Sequence, residues 1–161
     1  MTKGFTLIEI LIYLALVSLI ATISIASVYP LIDNYYRSQA RLDIESETNF
    51  LMRKINWALM GAYSINQPAS GGTSTIFSVN KEGFSQNPIA FDVSGENLRI
   101  SLAGAEPIVL NNVNVKIEKA EFENIFQSGL PSSVGIELSV KHSNPKSNAS
   151  TTIKVKIGLR K

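Results

Sequence analysis

Lys3-Gly4-Phe5-Thr6-Leu7-Ile8-Glu9 stands at the head of the chain, and from Ile10 to Ile32 no charged side chain follows it. A helix of that length, at about 1.5 Å rise per residue, spans the roughly 30 Å hydrocarbon core of a bilayer. A secretory signal peptide is a poorer fit. Its apolar region usually runs for about 7–15 residues and ends at small residues before a polar start, whereas this run passes directly into a helical pattern. Glu9 at the edge of the segment is the unusual feature. An unpaired carboxylate at membrane depth costs on the order of several kcal/mol, so an intramembrane acid is by default a site in need of a partner.

The 161 residues suffice for one folded domain with a core plus an appendage. Fifteen Lys+Arg against thirteen Asp+Glu give a net charge of +2, too near balance to argue for a polyanionic partner from the total. There is no cysteine, which removes disulfides, thiolate metal sites and cysteine nucleophiles from consideration. The single histidine, His142, has no nucleophile or orienting acid at a telling spacing and reads as a surface-loop residue. Without phosphate-cradling glycine loops or histidine clusters, the sequence does not describe an enzyme, and it calls for no cofactor.

Beyond the apolar run, Ile44, Thr48, Leu51, Ile55, Leu59 and Ala62 recur at helical spacing with charged residues mostly between them. No glycine interrupts 5–60, and Gly61 with Asn66-Gln67-Pro68 offers a stop, so one helix of about 57 residues is predicted. Pro30 removes one N–H bond and crowds the carbonyl of Ala26, which predicts a bend or local melting over 26–30. Ala15, Ser18, Thr22 and Ala26 form a stripe small enough for close helix contact.

The sequence then changes period. Residues 64–74, rich in Pro, Gly, Ser and Thr, read as a connection to a β-rich head. Ile89, Phe91 and Val93, then a Ser94-Gly95-Glu96-Asn97 turn, then Leu98, Ile100 and Leu102 predict a hairpin with one wet face. Val113, Val115 and Ile117 share a face, but the parity has shifted by Phe122, which predicts a bulge over 119–121 or a strand end. Ile136, Leu138 and Val140 form one further strand and Ile153, Val155 and Ile157 another, joined across 142–150. The fold class is α+β: a long N-terminal helical stem, transmembrane in its first half, packed on an antiparallel sheet.

The residues 3–9 and the uncharged run after them resemble the cleavage and methylation motif of type IV prepilins. The resemblance implies cutting between Gly4 and Phe5 by a prepilin peptidase, N-methylation of Phe5, and pairing of Glu9 with the terminal amine of a neighbouring subunit. It implies a leader at 1–4, a transmembrane half-stem at 5–32, an amphipathic half-stem at 33–63 and a head at 64–161. It also implies other pilin subunits and an inner-membrane assembly platform as partners, with the head outside the cytoplasm. Leu110-Asn111-Asn112-Val113 and Leu130-Pro131-Ser132-Ser133-Val134 are similar to patterns in J-type minor pseudopilins, and the missing C-terminal cysteine pair departs from many major pilins.

From Leu138 onward there are six basic residues and no acid: Lys141, Lys146, Lys154, Lys156, Arg160 and Lys161. Lys154 and Lys156 share the polar face of the last predicted strand, so DNA phosphates are an alternative ligand, with strong salt dependence. A solvated edge that discourages aggregation accounts for the same lysines, and no stacking aromatics stand near them. Glu118, Glu121 and Glu123 lack the dense oxygen spacing of a calcium loop, so no metal site is assigned. Asn148-Ala149-Ser150 fits a glycosylation triplet that arises often by chance.

Overall fold

The computed structural model describes Gly4, residues 6–126 and residues 132–159. The chain divides into two compact units, Met1–Gln39 and Ala40–Lys161. One helix, α1 (Leu7–Leu59), contributes to both.

In the first unit the large apolar side chains of α1 are exposed from Leu7 to Ile32. The polar residues among them are satisfied within the helix. Thr22, Ser24 and Ser27 each donate a hydroxyl to the carbonyl four residues back at 2.8 Å, and Ser18 does the same to Leu14. Such back-bonding suits a segment with no water to meet its hydroxyls. Of the bend or local melting expected over 26–30, the melting does not occur: α1 continues through Pro30 without interruption. Proline removes a single ladder bond, and helix propagating on both sides absorbs that loss. Asp33 and Arg37 form an i,i+4 ion pair at 3.0 Å just past the apolar run.

In the second unit the rest of α1 lays Ala40, Ile44, Thr48, Leu51, Ile55, Ala58 and Leu59 on the core, the face its spacing predicts. Thr48 donates its hydroxyl to Ile44 O at 2.7 Å, so a buried polar side chain costs nothing unsatisfied. Gly61, at φ 78°, turns the chain out of the helix in the left-handed conformation that glycine adopts freely.

Among the described residues nine strands follow: β1 (Ala62–Gln67), β2 (Thr73–Ser74), β3 (Phe77–Lys81), β4 (Ile89–Ser94), β5 (Asn97–Leu102), β6 (Ile108–Val109), β7 (Val115–Ile125), β8 (Ser133–His142) and β9 (Ser150–Gly158). They form two antiparallel sheets, ordered β1-β3-β4-β5-β6 and β2-β7-β8-β9, where one was expected. Phe77 of the first sheet stacks on Phe122 of the second at 5.0 Å and lies 6.2 Å from Phe91, so three buried rings join the sheets in one core.

The predicted β4–β5 hairpin is present, with Ser94 opposite Asn97 across the turn. Three details differ from expectation. The segment assigned to a connection holds most of β1, which pairs with β3 through an irregular register, and all of β2, which pairs with β7. Val113 is 90% exposed and lies before β7 rather than on its buried face. The parity shift is a bulge between Ile117 and Lys119, slightly earlier than predicted, and β7 continues beyond it to Ile125.

Candidate assembly and processing site

Gly4 is exposed, and Phe5 lies outside the described residues. Helix α1 begins just beyond, where Thr6 O accepts from the backbone N–H of Glu9 at 3.1 Å and of Ile10 at 3.2 Å. Glu9 therefore sits in the first turn, where the helix dipole favours an anion. Its Oε1 accepts from the Tyr13 hydroxyl at 3.4 Å, an i,i+4 contact the sequence reading missed although the spacing displays it. Among the described residues Glu9 has this weak hydrogen bond and no bridging cation.

The lysines of the last strand lie elsewhere, on the outer face of the second sheet. Lys154 reaches Glu137 Oε1 at 3.1 Å, and Lys119 reaches Glu137 Oε2 at 3.1 Å and also Glu121. Lys141 bridges Glu118 at 3.2 Å and Glu96 at 3.7 Å, while Lys116 also contacts Glu96. Two of the six C-terminal basic residues, Lys141 and Lys154, are thus answered across the strands by acids of β7, β8 and the β4–β5 turn. Lysine hydrogen bonds hold the Glu96 and Glu137 carboxyls below the usual carboxylate range, and the Glu121 and Glu137 carboxylates raise Lys119. Lys156 stands opposite Gly135, the one position of that row without a side chain to meet it. Arg160 and Lys161 lie outside the described residues.

His142 is the last residue of β8 and not a loop ornament. Its side chain is 14% exposed; Nε2 lies 3.6 Å from Asp43 Oδ2 on α1, and Nδ1 accepts from the Asn144 backbone N–H at 3.1 Å. Glu118 and Glu121 are engaged with lysines, and among the described residues no three His, Asp or Glu side chains are grouped to hold a metal ion.

The Leu110-Asn111-Asn112-Val113 segment forms a structural lock. Asn111 is buried, accepting from Leu98 N–H at 2.8 Å and donating to Val115 O at 2.8 Å and Asn97 Oδ1 at 3.1 Å. Asn112 donates its backbone N–H and its side-chain amide to the two oxygens of Glu47 on α1, at 3.0 and 2.8 Å. Leu130 and Pro131 of the second pattern lie outside the described residues.

The second unit packs an amphipathic helix on antiparallel sheets, and the first carries an apolar segment long enough to cross a membrane. That combination defines a pilin-like α+β protein. Residues 1–25 match the model of the prokaryotic N-terminal methylation motif, so the chain carries the mark of the type IV prepilin and pseudopilin family, whose members are substrates of prepilin peptidase and assemble with other pilins. No curated protein and no solved structure matches the chain.

Proposed function

We propose that this protein is a minor pilin or pseudopilin that is cut between Gly4 and Phe5, N-methylated on Phe5, and built into a type IV pilus or type II secretion-like filament at its initiating tip. The observation that carries this reading is the Gly4-Phe5 pair and Glu9 at the head of an exposed, uncharged helix. Glu9 is the assembly contact: an ammonium from a neighbouring subunit would supply the counter-charge that it lacks among the described residues. Before assembly the helix crosses the cytoplasmic membrane once, with the head outside and the assembly platform as partner. A minor subunit similar to the J-type pseudopilins is supported by the Leu110–Val113 and 130–134 patterns and by the absence of cysteine.

The test is expression with and without a prepilin peptidase, read by intact mass. The expected product, formed only with the peptidase, lacks residues 1–4 and carries one added methyl. An uncut chain would remove the reading. Tip initiation is tested by omitting the subunit from an assembling system: filaments should become fewer while the survivors keep their length.

Binding of DNA by Lys154 and Lys156 is the second reading, and the exposed position of Lys156 opposite Gly135, with no ion pair among the described residues, favours it. Retention of DNA on filters by the detergent-solubilised protein at low and high salt tests it. Salt-insensitive or absent retention excludes it.

A further inference from the structure

Strand β9 is nine residues long and is the outer strand of its sheet: among the described residues it has a strand partner, β8, on one side only. Such an edge presents a row of unpaired backbone N–H and C=O groups. Ile153, Val155 and Ile157 lie opposite buried Leu138, Ile136 and Val134, and so face the helix side of the sheet. They are not fully covered there, and Val155 is 37% exposed.

Two adjoining depressions, of about 520 and 300 Å³, run between this edge and α1 and share Asn49 as a wall. Arg41 lines the first and Arg53 the second. A free strand edge, alternate apolar side chains beside it and a helix as the opposite wall are what an added strand requires. Main-chain bonds to the edge give affinity, and pockets for every second side chain give selectivity.

We infer that the groove between α1 and β9 receives an extended, acidic segment of another protein, added as a strand to β9 with its alternate apolar side chains against Ile153, Val155 and Ile157. Charge selects the occupant. Arg41 and Arg53 line the groove against Glu45, and on the outer face of the same edge Lys154 and Lys156 stand with Glu121, Glu123 and Glu137, of which Glu121 is held by Lys119 and Glu137 by Lys119 and Lys154. A second copy of this chain is disfavoured by the same charges. Antiparallel β9–β9 pairing centred on Val155 sets Lys154 of one copy opposite Lys156 of the other, and like charges directly opposite are destabilising.

The test uses the full-length chain in detergent and a fluorescent peptide of strand length that alternates glutamate and valine. It is compared with a lysine–valine peptide, with a glutamate peptide whose central valines are proline, and with a single-stranded oligonucleotide of equal charge. The glutamate–valine peptide should bind, protect β9 amides from hydrogen exchange, and weaken several-fold in Lys156→Glu and Arg53→Glu, which alter exposed side chains. The proline peptide should bind at least about tenfold more weakly, since each lost ladder bond is worth roughly 0.5–1.5 kcal/mol. The inference is overturned if the glutamate–valine peptide fails to bind, if the proline peptide or the oligonucleotide binds as well, or if protection appears through self-association without peptide. Because every arm reads the head's own groove, the outcome is independent of whether Gly4 is processed.

Discussion

At the scale of single residues, Glu9 and Asn111 illustrate opposite uses of a polar side chain. Among the described residues Glu9 meets the Tyr13 hydroxyl and no counter-charge. Glu9→Ala should therefore leave peptidase cleavage intact, as read by mass, while abolishing incorporation into filaments; normal incorporation would sink the pairing with a neighbour's amine. Asn111 is fully engaged, so Asn111→Ala would strand Leu98 N–H and Val115 O in the interior. The expected loss is about 3 kcal/mol by denaturant unfolding, within the range for two buried groups left unsatisfied. Glu9 was legible in the sequence because charge stands out against an apolar run. Asn111 was legible only as part of a short pattern, since nothing local shows that its partners lie on β5 and β7. Glu47 was read as a polar spacer for the same reason: its partner Asn112 is 65 positions away.

At the scale of elements, periodicity predicted what one face sees and missed what the chain's own turns conceal. The helical core stripe, the β4–β5 hairpin and the last two strands follow from spacing of 3.6 or 2, which burial on one face enforces. Strand β1 went unread because Gly, Ser and Pro nearby outweigh its short alternation, and a two-sheet division has no local signature. Lys119, Lys141 and Lys154 look unbalanced along the chain and become paired only once register sets acids beside them. Their pH dependence has a definite sign. Glu137 is held below its ordinary pKa, first by hydrogen bonds from Lys119 and Lys154. Its contribution is present above the unfolded carboxylate pKa and is lost as pH falls through the depressed folded value. Glu137→Gln should flatten the acid side of a stability–pH curve measured by denaturant midpoint. Lys119 is raised, so its contribution is lost only as pH climbs through the raised value. At the join of the sheets, Phe122→Ala should cost about 3–5 kcal/mol, the range for removing a buried ring. A midpoint shift without a change in slope would show that both sheets still unfold together.

At the scale of the whole molecule, one helix serves two environments. Its later turns are covered by the chain's own sheets, and its earlier turns are exposed among the described residues. Each large apolar side chain kept from water is worth about 1.5–3 kcal/mol, so the exposed run from Leu7 to Ile32 represents on the order of tens of kcal/mol. That exceeds the roughly 5–15 kcal/mol that holds a typical domain folded. The head could unfold and refold many times before this segment once stood bare in water. A free aqueous monomer would leave that whole area bare, so the segment calls for a dry neighbour at every step, with no gap between one grip and the next.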